Sequence, residues 1–379
     1  MEVLAGVLFH SVGASSAALC YTPQKKVLGW SWQTYWLAQA SVCWLLLPVI
    51  VAWLTIPQLG TVLREAPADV LWKTFALGMA YGVGGTAFGM AIRYVGFSLT
   101  YAISVGISCV LGTLIPPLVR GELSAVFDKT GAGWVMTGIA LGALGIAICG
   151  VAGRSKEKDL AQAHVAGGGF SLSKGLPLCL LAGILSAVYG FSLDQGKPIA
   201  DIAARYGAGN FQGNVIYIFS NAGAFVTTLL YCLYLHNKEK TLGEYTGGGV
   251  LAGAGHDASA SGDRKPVSAS VGAARATVGV SGVLGMNFAM AALTGLLWYG
   301  QFFFYGLGHL RMGSYKFSSW AIHMIMLVLL SSIAGILLKE WSSSSKATRL
   351  KLGTALFVLT VAVIVLTVGN YLGDDAVSH

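Results

Sequence analysis

Charge is what this chain has least of. Asp, Glu, Lys and Arg make up 11% of its 379 residues, whereas 55% are hydrophobic. A soluble domain carries about 25% charged residues because its surface must be solvated. The composition therefore excludes an ordinary soluble fold and requires lipid as the solvent. Cysteine is sparse too. Cys20, Cys43, Cys109, Cys149, Cys179 and Cys232 all lie in or beside apolar runs, with no C-x-x-C pair and no histidine at ligand spacing. That excludes a zinc ribbon or a dithiol redox centre and leaves small packing residues. There is no Gly-x-x-x-x-Gly-Lys-Ser/Thr loop, so ATP is not expected to drive any cycle. The formal charge is +8, yet no basic stripe is interleaved with exposed aromatics, and no nucleic-acid partner is expected. No basic n-region precedes the first apolar run, which leads directly into Tyr21-Thr-Pro-Gln-Lys-Lys26, so no cleavable signal sequence is expected. Neither a carboxylate pair nor a metal-ligand cluster gathers at one membrane face, which argues against an embedded enzyme.

What the chain has instead is length of apolar sequence. A helix needs about 20 apolar residues to cross the hydrocarbon core. Ten such runs occur, at approximately 3–22, 34–56, 72–92, 97–118, 132–152, 175–194, 211–235, 283–306, 317–338 and 350–372. The expected fold class is all-α and integral to the membrane. Two connections differ from the rest. Residues 153–174 form a basic linker with Arg154, Lys156, Lys158 and Lys174, and residues 236–280 are rich in Gly, Ala and Ser, a composition that predicts a flexible insertion. Connections after odd-numbered spans hold 16 of the 24 Lys and Arg residues. The positive-inside rule places that side in the cytoplasm and both termini on the opposite, outer side.

An internal repeat divides the spans. Gly13-Ala-Ser-Ser-Ala-Ala-Leu of the first span is echoed by Gly183-Ile-Leu-Ser-Ala-Val-Tyr of the sixth, 170 positions later. Both lead into Lys/Pro-bearing segments, Pro23-Gln-Lys-Lys and Asp194-Gln-Gly-Lys-Pro198. The fourth span opens Val95-Gly-Phe-Ser and ends Arg120-Gly-Glu122, and the ninth opens Met312-Gly-Ser-Tyr and ends Lys339-Glu340. Residues 1–152 and 175–372 are thus expected to be two five-helix repeats. An odd number of spans per repeat inverts the second copy, the architecture of many secondary transporters, whose sites lie near the midplane between the halves.

Polar side chains inside lipid are costly unless they face the bundle interior or a wet cavity. Spacing of three, four or seven residues puts such groups on one helix face. The eighth span carries Trp298, Gln301 and Tyr305; the fourth Tyr101, Ser104 and Ser108; the seventh Asn214, Tyr217 and Asn221; the ninth Trp320 and His323. Serine, asparagine and glutamine also cement helix contacts, and Trp and Tyr also mark the membrane interface. An aromatic plane beside an amide and hydroxyls nonetheless suits a neutral polyol, whose C–H face stacks while its hydroxyls hydrogen-bond. The candidate solute contacts are Gln301, Trp298, Tyr101, Trp320, Tyr305, Ser104 and Ser15. Ionisable groups within spans are few. His323, Asp194 and His10 are the candidates for coupling a proton to solute movement, since histidine changes charge near neutral pH and a buried carboxylate can be raised into that range. Each has a plainer alternative: a neutral His323 satisfied by a neighbouring serine or carbonyl, and an Asp194 ion-paired with Lys197. No cofactor is expected; a proton gradient would supply the energy.

Several segments together resemble the rhamnose/proton symporter family. They are His10-Ser-Val-Gly-Ala-Ser-Ser-Ala-Ala through Tyr21-Thr-Pro-Gln-Lys-Lys-Val and Trp30-Ser-Trp, then Trp298-Tyr-Gly-Gln-Phe-Phe-Phe-Tyr305 with Gly308-His-Leu-Arg311, Ser319-Trp, His323-Met and Leu338-Lys-Glu-Trp341. Arg93-Tyr-Val-Gly96 and Lys197-Pro198 fit as well. The resemblance covers nearly the whole chain except the 236–280 insertion. It implies the drug/metabolite transporter superfamily fold of ten helices in two inverted repeats, set in a bacterial inner membrane. It also implies proton-driven uptake of L-rhamnose, or of a close 6-deoxy or pentose sugar such as L-lyxose. An exporter of amino acids or drugs on the same fold is the alternative. Alternating access would use a cavity lined by spans 1, 3, 4, 6, 8 and 9.

Overall fold

A computed structural model describes residues 2–95, 97–162, 171–248 and 268–378. Helices account for nearly all of this, and no strand occurs among the described residues. Ten helices are long and apolar enough to cross a membrane: span 1 (Glu2–Lys26), span 2 (Trp32–Thr55), span 3 (Ala68–Ile92), span 4 (Leu99–Val119), span 5 (Ala132–Asp159), span 6 (Ser173–Arg205), span 7 (Gly209–Glu239), span 8 (Gly279–His309), span 9 (Lys316–Leu337) and span 10 (Lys346–Gly373). Only helices and closed barrels satisfy every backbone polar group in lipid, and each apolar run here is long enough to cross as a helix that satisfies its own backbone. Span 2 departs from regularity at Ser41–Leu46, a π-helical stretch directly before Pro48. Proline has no N–H to give the preceding turn, and one wider turn absorbs the lost bond.

The packing partners come in matched pairs. Span 3 packs on span 6 as span 8 packs on span 1; span 4 packs on span 6 as span 9 packs on span 1. Span 3 contacts span 7 as span 8 contacts span 2, and span 4 contacts span 5 as span 9 contacts span 10. The remaining large contacts, 5 with 10, 4 with 9 and 2 with 7, map onto themselves when span numbers shift by five. This pairing fits two equivalent five-helix halves.

Local structure repeats as well. Span 4 ends with Gly121 at φ 70° and span 9 with Lys339 at φ 59°. In each the next residue, Glu122 or Glu340, donates its N–H five residues back, to Pro117 O and Gly335 O respectively, both at 2.9 Å. These are the same left-handed helix stop, which satisfies carbonyls that would otherwise be orphaned. A lysine accepts the left-handed conformation at the second site, where glycine is the usual occupant.

Spans 3 and 7 cross at very short range. A Cβ on Gly78 would meet the Ser220 backbone, and one on Gly223 would meet Phe75 O. Gly78 and Gly82 therefore form a small-x-x-x-small stripe that lets the backbones touch. The last part of span 6, Lys197–Arg205, is a separate amphipathic helix that follows Gly196. It buries Ile199, Ala200, Ile202 and Ala203 against the short helix Leu59–Glu65. Neither short helix follows from the apolar-run reading.

Within the stretch 236–280, residues up to Gly248 make specific contacts. Glu244 accepts hydrogen bonds from Ser31 N at 2.7 Å, Ser31 Oγ at 2.8 Å and Thr34 Oγ1 at 2.5 Å, and so caps the N-terminus of span 2. Residues 249–267, the centre of the expected insertion, lie outside the described residues, as do 163–170 of the basic linker.

Candidate functional site

A cavity of about 110 Å³ lies inside the bundle, several times the roughly 10–15 Å³ that one water molecule needs. Its walls come from spans 1, 2, 3, 4, 6, 8 and 9. The contribution of span 2, through Trp36, adds to the six spans expected from the sequence. Among the described residues, no Asp, Glu, Lys or Arg lines it.

Span 8 supplies three consecutive turns of the wall: Trp298, Gln301 and Tyr305. Their spacing places them on one face, and that face points inward because span 8 packs on spans 1 and 2. Trp298 is held edge-on by three rings, with centroids 5.5 Å from Tyr21, 5.4 Å from Trp36 and 5.6 Å from Trp44. Aromatic edges against faces fix ring orientation. Trp36 in turn stacks on Trp32 at 5.0 Å. Gln301 is 9% exposed, and no protein partner holds its amide among the described residues. Both its donor and its acceptor remain for an occupant of the cavity.

Span 9 contributes Trp320 and His323. The Trp320 indole lies over Gly112 of span 4 and Gly190 of span 6, and a side chain on Gly112 would take the ring's place. Its Nε1 donates to Ser108 O at 2.9 Å, so the ring offers the cavity its surface and not its N–H. His323 is 2% exposed and its Nδ1 has no hydrogen-bond partner among the described residues. Around it, Tyr305 lies 5.4 Å away and His10 5.7 Å away, between ring centroids. His10 is fully buried and both its ring nitrogens lack partners among the described residues. It sits behind Tyr305 and His323 rather than in the cavity wall.

The other candidates are distributed as follows. Tyr101 lines the cavity, edge-on to Phe88 at 5.2 Å. Ser104 lines it too, but its Oγ donates to Cys179 O at 3.0 Å; Ser108 likewise donates to Ser186 Oγ at 2.9 Å. Ser15 is half-buried and does not line the cavity; the neighbouring Ser16 hydroxyl instead donates to Leu297 O at 2.7 Å, tying span 1 to span 8. Asp194 is at the end of span 6, ion-paired with Arg120 of the span 4 exit rather than with Lys197. The polar face of span 7 braces its neighbours. Asn214 donates to Thr55 Oγ1 at 3.0 Å, Tyr217 to Phe302 O at 2.7 Å, and Asn221 accepts from Tyr189 at 2.6 Å.

Sequence reasoning missed Trp36, Tyr21, Tyr81, Tyr189 and Ser186 in the wall. Tyr81 and Tyr189 pack ring to ring at 4.4 Å. Each stands well inside its span and just before a glycine, far from the interfacial belts that tyrosine usually marks, and that position was a usable signal.

Among the described residues the cavity is walled by indoles and phenols with one free amide, one imidazole and no charged group, a lining whose chemistry suits stacking and directed hydrogen bonds to a neutral polar solute. Ten spans folded about such a cavity define a multi-pass membrane protein with an internal cavity. The profile of the L-rhamnose-proton symport protein family matches residues 1–245 and 268–372, leaving out only the centre of the Gly/Ala/Ser-rich stretch and the extreme C-terminus. L-rhamnose-proton symporters of Mannheimia succiniciproducens and Cronobacter sakazakii are each 32% identical to the chain. The first aligns over 97% of this chain and 99% of its own length, the second over 96% and 97%. One from Yersinia pestis is 32% identical over 91% of both. The chain belongs to the L-rhamnose-proton symport protein family, a family of transporters and not of enzymes.

Proposed function

We propose that this chain imports L-rhamnose, or a closely related 6-deoxy or pentose sugar such as L-lyxose, by proton symport. The sugar occupies the central cavity. Trp298 and Trp320 give its C–H faces a stacking surface, Gln301 takes a pair of hydroxyls, and Tyr101 and Tyr305 offer further phenolic contacts. His323 carries the proton, since its imidazole shares the wall with Gln301 and its Nδ1 has no hydrogen-bond partner among the described residues. His10 lies directly behind it and can exchange a proton with it. The halves 1–152 and 175–372 act as inverted repeats that rock about the cavity, opening it alternately to each side. The chain sits in a bacterial inner membrane with both termini in the periplasm, the orientation that the Lys and Arg distribution favours.

The observation that carries this reading is the coexistence, among the described residues, of a free amide and an imidazole without a hydrogen-bond partner in one cavity that no charged side chain lines. An organic cation or a carboxylate-bearing solute would require a countercharge there, so an amino-acid or drug exporter is the weaker reading. Uptake of radiolabelled L-rhamnose into proteoliposomes, with and without an inward proton gradient, tests it. Accumulation that collapses on adding a protonophore is the expected result. Absence of uptake by folded protein would overturn the sugar assignment and direct attention to other sugars and then to export.

A further inference from the structure

Two ion pairs occupy matched positions at opposite faces of the bundle. At the face where odd-numbered spans end, Lys25, in the turn that closes span 1, meets Glu340 at the span 9 exit, with Nζ to Oε1 at 2.7 Å. Lys156 of span 5 approaches the same carboxylate at 3.9 Å, and its ammonium lies 4.6 Å from the Trp341 ring centre. At the face bearing the termini, Asp194, closing span 6, meets Arg120 at the span 4 exit, and Arg120 also holds Glu122 at 2.9 Å. Shifting the span numbers by five turns the contact of 1 with 9 into that of 6 with 4. The two pairs therefore join equivalent span ends, one pair at each face, with the signs of the charges exchanged.

The backbone setting supports the equivalence. Glu340 and Glu122 follow the same left-handed helix stop, with matching N–H bonds five residues back. Lys25 and Asp194 lie in the two Lys/Pro-bearing segments that follow the repeated Gly/Ser/Ala stretch of spans 1 and 6. Each pair joins one half of the molecule to the other, at a point where the halves must separate for the cavity to open to that face. The four side chains are partly exposed, from 20% for Asp194 to 59% for Lys25. Exposed pairs are weak, which suits a contact broken once in every cycle.

We propose that Lys25–Glu340 and Arg120–Asp194 are the two gating pairs of this transporter, each holding one face closed and each released when the cavity opens to that face. The inference rests on the alternating-access reading above. Loss of either pair removes stabilisation only from states closed at that face, so the population shifts towards states open there. Glu340→Gln exposes the cavity to the face that carries Lys25, and Arg120→Gln exposes it to the face that carries the termini. On this reading Asp194 positions the gate and does not carry the transported proton.

The test is side-specific labelling of the full-length chain in right-side-out and inside-out vesicles. Ser186→Cys in the cavity wall, in a Cys20→Ala background, serves as the reporter for a membrane-impermeant thiol reagent. Glu340→Gln is expected to raise the labelling rate several-fold from the Lys25 face and lower it from the other, and Arg120→Gln to do the reverse. The charge-swapped double variant Lys25→Glu/Glu340→Lys should restore the parental rates, which a merely structural role would not do. Labelling unchanged from both faces, or changed in the same direction by both variants, would overturn the proposal. A swap that fails to restore the rates would assign the effect to the Lys156 and Trp341 contacts and overturn it too. Protection of the reporter by L-rhamnose in the parent tests the sugar site separately, so failure there leaves the direction of labelling to decide the gates.

Discussion

Replacing Gln301 by alanine separates the sugar site from the scaffold. Among the described residues Gln301 is the only side-chain amide in the cavity wall, and no protein group there holds it. Truncation therefore orphans no partner and enlarges a space that is already open, so the fold should tolerate it. Binding should not. An amide offers both a donor and an acceptor to neighbouring hydroxyls. Each neutral hydrogen bond contributes about 0.5–1.5 kcal/mol net, so the two together supply about 1–3 kcal/mol. At 1.4 kcal/mol per decade this is a roughly five- to 150-fold rise in Kd. Quenching of the intrinsic fluorescence of Trp298 and its neighbours, titrated with L-rhamnose on detergent-purified protein, reads the constant directly. Size-exclusion elution and the thermal midpoint serve as controls for folding. A folded Gln301→Ala variant with an unchanged Kd would refute the placement of the sugar against span 8.

His323→Gln should keep sugar exchange across the membrane, measured as counterflow, while losing accumulation against a gradient; a variant that still concentrates sugar would remove His323 as the proton carrier. Gly78→Val forces a side chain into the Ser220 backbone. Overpacking of this kind costs about 1–3 kcal/mol or more, so the purified variant should show a lowered thermal midpoint or fail to elute as a single species. Glu244→Ala removes three hydrogen bonds to a carboxylate at the start of span 2. Bonds to charged groups are worth about 1.5–3 kcal/mol, so thermal stability should fall while the Kd for L-rhamnose stays unchanged.

The ten spans were legible because lipid imposes a length and a polarity that few other contexts demand, and each apolar run of the chain found its helix. The inward face of span 8 was legible for a similar reason: Trp298, Gln301 and Tyr305 fall on one side of a mostly apolar helix. The serines of span 4 show where periodicity stops informing. It places Tyr101, Ser104 and Ser108 on one face, yet whether that face meets a cavity or a neighbouring carbonyl depends on spans 6 and 9, and the hydroxyls of Ser104 and Ser108 went to Cys179 O and Ser186 Oγ. Span 7 has the same pattern in Asn214, Tyr217 and Asn221, and there the whole face braces helices. Tyr81 and Tyr189 were passed over because a single tyrosine has no period. The amphipathic helix Lys197–Arg205 follows the apolar part of span 6 with only Gly196 between, so apolar-run counting ended at the charges and did not resume.

The most direct test of sugar and proton moving together through one cavity is the internal pH of proteoliposomes loaded with a fluorescent pH indicator, with no gradient imposed and the membrane potential clamped at zero. On adding L-rhamnose outside, symport requires the lumen to acidify as sugar enters, and His323→Gln should abolish the acidification while sugar still equilibrates. Entry of L-rhamnose into wild-type vesicles with no change in internal pH would contradict coupled transport.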